Sequence, residues 1–202
     1  MYEVCQHVMC DSACPIQADA GLLFGETVQI AELADLWRSG KIRKVAISRF
    51  GGEISGEFVV SGWKTWRHRL LDRGVEDEHI VTYPLSTKLP PCTDAEAIGF
   101  VDFAKERGWK TVYVVVPELH RFRSFISLVS AAAKAGYELK VWSYPMPAQD
   151  YSENVFFTQS APKGPRKQFI PVDLNKTFAY CKKGDYLTSR EILDYFDWRD
   201  EK

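Results

Sequence analysis

The 202-residue chain has almost no net charge. Its 26 Lys and Arg stand against 27 Asp and Glu, for a formal charge of -1. Without a basic excess, no global field draws it to nucleic acid. No apolar run approaches the roughly 18–20 residues that a membrane-crossing helix needs. The opening residues, MYEVCQHVMCDSACPIQADA, lack the basic n-region and apolar h-region of a secretory signal. These absences lead to the expectation of a cytoplasmic protein with neither a nucleic-acid nor a membrane partner. Internal repeats and low-complexity segments are missing too, as are the GxGxxG and Walker phosphate-loop patterns. Five cysteines are present, and Cys5, Cys10 and Cys14 crowd the N-terminus beside His7. Their spacing is not CxxC and no second half-site follows, so they read as reduced thiols rather than a metal or redox cluster.

What the chain does have is apolar patterning. Hydrophobic residues make up 46% and aromatics 13%. At this length that suits one domain, or one domain with an appendage. The stretch Thr111 to Arg123, TVYVVVPELHRFR, organises the rest. An apolar β-branched run stops at Pro117, and Glu118, His120, Arg121 and Arg123 follow it. This predicts a buried strand delivering charged side chains into a helix start, where ligands of open α/β sheets bind.

Similar units recur along the chain. Strands are predicted at 19–24, 44–48, 80–83, 111–116 and 138–142. Between them lie helices closed by Gly40, Gly74, Gly108 and Gly136. Alternation of this kind implies βαβ units and a mainly parallel sheet covered on both faces. Residues 53–61 read as a loop. Thr93 and Glu96 have capping-box form, as do Thr188 and Glu191. Residues 1–18 read as a weakly patterned lead-in to a domain spanning 19–145. From Pro145 prolines recur, and 146–202 read as an irregular arm with one short helix near its end. A helix that short must dock on something, either the domain or a partner subunit in a homo-oligomer.

Several strings, taken in order, resemble the DUF218 (YdcF-like) family: ADAGLLFGET at 18–27, AELADLWRSGKIRKVAIS at 31–48, SRFGG at 48–52, RGVEDEHI at 73–80 and VVPELHRFRS at 115–124. The resemblance implies a Rossmann-like three-layer α/β/α fold with one ligand cleft. It also implies a nucleotide-type ligand such as S-adenosylmethionine. The sequence departs from the family pattern at Glu96, where Asn is usual, near Gln29, where Arg is usual, and at Pro117.

The candidate site residues follow from position and chemistry. Ser48, Arg49, Gly51 and Gly52 form a strand-end turn in which amides and a guanidinium can gather around an anion. His120 and Arg123 lie three apart at a helix start and share a face. The imidazole suits proton transfer and the guanidinium suits a phosphate or carboxylate. Glu26 and Glu96 are candidates for the second proton-transfer group, and Thr93 for a ligand contact. Asp19, at the opposite strand end, reads as structural, and Arg121 as solvated. Together these residues lead to the expectation of an enzyme of small-molecule metabolism. It would be a transferase, hydrolase or lyase acting on an anionic (phosphate-, carboxylate- or nucleotide-bearing) substrate by metal-independent acid/base chemistry. A non-catalytic nucleotide or S-adenosylmethionine-binding module is the alternative.

Overall fold

The computed structural model describes residues 2–9, 17–24, 29–55, 58–147, 149–155 and 163–201. Five strands form a parallel sheet: β1 (Ala18–Leu23), β2 (Ile42–Ser48), β3 (Ile80–Tyr83), β4 (Thr111–Val115) and β5 (Lys140–Ser143). Their order is β3-β2-β1-β4-β5. The chain first winds outward on one side of β1, then returns to its other side. The strand order therefore reverses between β1 and β4, and their carboxyl ends form the switch-point crevice of a doubly wound sheet. The register pairs Leu22 with Ala46 on one side and with Val114 on the other.

The strands are nearly continuous apolar runs because helices cover both faces. On one face, α2 (Ile30–Arg38) and α3 (Trp63–Asp72) bury Leu33, Leu36, Trp66 and Leu70 against Leu23, Val45, Ile47 and Val115. Four helices serve the other face: α1 (Tyr2–Met9), α4 (Thr93–Arg107), α5 (Glu118–Lys134) and α7 (Ser189–Asp200). There Phe100, Phe125, Ile126, Ile192 and Phe196 pack on Leu22, Val112, Val114 and Val116. The three-layer α/β/α Rossmann-like expectation is met, with strand limits differing from the sequence reading by one or two residues. Gly99, in the middle of α4, is there for close approach. A Cβ at that position would lie 2.1 Å from the Pro84 carbonyl oxygen, so the β3–α4 loop can rest directly on the helix.

Asp19 is structural as expected. Its Oδ2 accepts from the Lys110 and Thr111 amides and from the Thr111 hydroxyl, tying the starts of β1 and β4 together. Other expectations need correction. Residues 53–61 contain a short antiparallel pairing of Glu53–Ser55 with Phe58–Val60 rather than only loop. The lead-in contains α1, whose Val4 and Val8 are fully buried in the core. The arm is not irregular before its last helix: α6 (Ile170–Lys183) precedes α7. Pro171, one of the prolines that recur along the arm, sits in the first turn of α6, where its missing N–H has no intrahelical partner to lose. Leu174 and Phe178 of α6 pack on the core that α5 builds, so the arm docks on its own domain. Among the described residues no helix is long and apolar enough to cross a membrane.

Candidate functional site at the carboxyl edge of the sheet

Ser48 is the last residue of β2, and Glu96 lies in the first turn of α4. The Ser48 hydroxyl donates to Glu96 Oε1 at 2.5 Å. Both side chains are buried, with Ser48 at 0% and Glu96 at 7% exposure. Burial pushes the Glu96 carboxyl up to about 7, and the Ser48 bond and the Arg123 charge offset this only in part. Tyr83, at the end of β3, closes the same space. Its phenol is raised well above the usual range, by burial first and then by the Glu96 charge. The Tyr83 hydroxyl lies near Ser48 and Glu96 without a well-formed hydrogen bond.

Alongside is a charged cluster built on the start of α5. Pro117 is the N-cap, and the turn it opens carries His120 and Arg123 on one face. Arg123 Nη2 lies 3.1 Å from His120 Nδ1. The same ring nitrogen lies 3.8 Å from Asp173 Oδ1. Arg123 Nη1 donates to the Thr93 hydroxyl at 2.9 Å, and Nε donates to Asp173 Oδ1 at 2.6 Å. Asp173 comes from α6, fifty residues away, and is 2% exposed. Burial would raise its pKa, but His120 and Arg123 outweigh that and hold the carboxyl below its usual range. For Arg123, burial works against the charge, and Asp173 more than restores it. Lys176, one turn further on α6, is lowered by burial and by the Arg123 charge. The second Asp173 oxygen, Oδ2, is buried without a hydrogen-bond partner.

The fold thus brings together Ser48, Thr93, Glu96, His120 and Arg123 from three separate segments, β2, α4 and α5. Arg49, Gly51 and Gly52 lie beyond the end of β2; the Arg49 amide donates to the Tyr83 carbonyl at 2.8 Å, but no hydrogen bond among the described residues joins the three to Ser48, Thr93, Glu96, His120 or Arg123. Arg49 donates instead to the Thr82 hydroxyl at 3.1 Å. Gly52 turns the chain at φ 88, and the Gly51 carbonyl packs where a Cβ on Gly62 would lie 2.4 Å away. Glu26 falls outside the described residues, as do Cys10 and Cys14. Cys92 is exposed at the α4 N-cap, and His7 stacks on Phe196.

Two expectations about this region are corrected. Thr93 and Glu96 do not cap α4. Cys92 is the N-cap residue, the Glu96 amide bonds to its carbonyl, and no side-chain cap forms. The Thr93 hydroxyl is taken by the Arg123 guanidinium and the Glu96 carboxyl by Ser48, partners that the buried setting supplies instead of the backbone. Arg121 is not solvated: it is 4% exposed and donates to the Met9 carbonyl across α1. Three members of the region were missed in the sequence. Tyr83 ends a predicted strand and was within reach of the same strand-end argument. Gln29, fully buried at the start of α2 with neither amide atom hydrogen-bonded, lay beside a strand end as well. Asp173 carries no local signal, because only the tertiary docking of α6 brings it to Arg123. On the opposite edge, Glu76, Glu78 and His79 gather at the surface, a grouping the sequence spacing did not flag.

No family model matches the chain, and neither the curated proteins nor the solved structures contain a match to it.

Proposed function

We propose that the carboxyl-edge site binds a small anionic metabolite in the cytosol and carries out acid/base chemistry on it. One observation carries this reading: Glu96 is a buried carboxyl, pushed up to about 7 by that burial, within the field of a guanidinium whose other neighbours include an imidazole. A general acid or base works best when its pKa lies near the working pH. A pair of titrating groups in unlike surroundings supplies both a donor and an acceptor. Glu96 is one such group, with Ser48 as the hydroxyl that fixes its rotamer. His120, less buried and with Nδ1 engaged, is the other. Arg123 has five N–H donors in all. Three go to Asp173, Thr93 and His120, which leaves two for a phosphate or carboxylate. The ordered fork favours a planar or tetrahedral oxyanion over a single hydroxyl.

Thermal unfolding against nucleotides, S-adenosylmethionine, sugar phosphates and carboxylic acids tests the reading. A ligand at about 100 times its dissociation constant stabilises the fold by about 2.7 kcal/mol. The expected result is a hit that His120→Ala weakens and whose turnover Glu96→Gln abolishes while binding is retained. Silence across the panel, or a hit indifferent to both substitutions, removes the proposal.

A second reading rests on the strand order itself. The reversal between β1 and β4 places the start of α2, with the unpartnered buried amide of Gln29, at the crevice where doubly wound sheets take nucleotides. On this reading the protein binds a nucleotide or S-adenosylmethionine without converting it. A stable complex in which the wild-type protein leaves the ligand chemically unchanged would favour it.

A further inference from the structure

A separate concavity lies between α4, α5 and the α6–α7 connection. It is a cleft of about 390 Å³, inside the roughly 300–1,000 Å³ span of small-molecule sites. Its walls are largely apolar, with Leu89, Ile98, Ala131 and Tyr180 among the lining residues.

Asp94 also faces this cleft. Its Oδ1 accepts from the Ser127 hydroxyl at 2.6 Å and from the Tyr186 hydroxyl at 2.7 Å. Two neutral donors on one oxygen fix the plane of the carboxyl and leave its charge in place. Oδ2 takes no hydrogen bond among the described residues. The charges around it do not cancel it. Arg123 is near enough to feel Asp94, but its own charge is matched by Asp173 at 2.6 Å. Lys134 lies at the other end of the cleft, two turns beyond Ser127 on α5 and so roughly 10 Å along the helix axis. Its ammonium is tied to the Gly184 and Asp185 carbonyls at 3.0 and 2.6 Å. Asp185 adds a second carboxylate to the lining. A fixed, half-satisfied carboxylate at the end of an apolar slot favours a cation that brings its own apolar body.

We infer that this cleft binds a small organic amine, with its ammonium on Asp94 Oδ2 and its ring or alkyl body against Ile98, Ala131 and Tyr180. The inference does not depend on the reading of the carboxyl-edge site, because it uses none of Ser48, Glu96 or His120.

The test is a titration of the ¹⁵N-labelled full chain with phenethylamine and, in parallel, with 3-phenylpropionate, which carries the same ring and the opposite head charge. The amine should shift the amides of Ile98, Ala131 and Tyr186 in a saturable way, and the acid should leave them in place. Asp94→Asn keeps an acceptor for Ser127 and Tyr186 but removes the charge. It should weaken the amine by about tenfold or more, the worth of one charged hydrogen bond. Ala131→Phe, which fills the slot and leaves Asp94 intact, should abolish the shifts, and it decides the matter if Asp94→Asn does not fold. Equal response to amine and acid, no response to either, or amine binding that survives both substitutions overturns the inference.

Discussion

At the start of α7, Thr188 and Glu191 close a capping box: the Glu191 amide donates to the Thr188 hydroxyl, and the Thr188 amide donates to the Glu191 carboxylate. At the start of α4, Thr93 and Glu96 have the same spacing and close nothing. Their side chains go to Arg123 and to Ser48. The carboxyls diverge accordingly. Glu191 is exposed, and the Thr188 amide and hydroxyl hold it below its usual range. Glu96 is buried and sits near 7. A four-residue pattern sets what the side chains can reach, and the surroundings decide which partner wins. At the exposed α7 end the partners are the two residues' own amides and the Thr188 hydroxyl. At the carboxyl edge of the sheet, a hydroxyl from β2 and a guanidinium from α5 compete for the same atoms.

If the α4 end is wired into the tertiary structure and the α7 end is not, the largest difference should appear at Arg123. Arg123→Leu leaves the Asp173 carboxylate 2% exposed without the guanidinium that pairs with it. Removing one partner of a buried pair costs about 3–5 kcal/mol. Urea unfolding at neutral pH should show a loss of that size. The double variant Arg123→Leu, Asp173→Leu should recover most of it, since no charge is then stranded. A loss under about 1 kcal/mol would place the pair on the weakly coupled side of the comparison, with the surface ion pairs.

The next contrast is in pH. Native Glu96 holds its proton up to about 7, against an ordinary value of 4.5. Between those values the native state binds more protons than the unfolded state, so this group makes stability fall as pH rises. The whole effect is at most about 3–4 kcal/mol, at about 1.4 kcal/mol for each pKa unit, and it is complete above 7. Glu96→Gln should remove it, so that wild type and variant differ in slope between pH 5 and pH 7. Asp173 is shifted the other way: its contribution is lost only as pH falls below the ordinary carboxylate range, outside this window. Parallel curves for the two proteins would mean that Glu96 is not held in its protonated form by burial.

The same contrast explains what could be read from sequence. The strand runs, the glycine stops and the charged strand end at 117–123 are local signals, and they located the sheet, most of the helices and the His120–Arg123 pair. Ser48 and Glu96 were each legible as strand-end and helix-start positions, but nothing in the chain said that they bond to each other. Asp173 was hidden twice. Pro171 made its helix read as irregular, and its partner lies fifty residues upstream on another element. The Thr93 box was misread because a local motif was given its local meaning in a place where α5 and β2 supply other partners. The Thr188 box was read correctly because both its residues are exposed and their side chains bond to each other and to each other's amides.

That last point gives the smallest and most discriminating effect. In a surface capping box the hydroxyl satisfies one backbone amide that otherwise faces water, and its loss is worth about 1 kcal/mol. Thr188→Ala should cost about that much in urea, and Thr188→Ser, which keeps the acceptor, should cost only a small part of it. Because Glu191 is lowered by the Thr188 amide and hydroxyl, the box is intact above the ordinary glutamate range. It weakens as pH falls through the lowered value, opposite in direction to Glu96. Thr93→Val should behave differently from Thr188→Ala despite the shared motif. It removes an acceptor from Arg123 rather than a cap, so its cost should shrink sharply once Arg123 is also replaced, whereas the Thr188→Ala cost should add unchanged to any Arg123 variant. Thermodynamic cycles over these pairs measure that coupling directly. A Thr93 cost independent of Arg123 would mean that the two helix starts are alike after all.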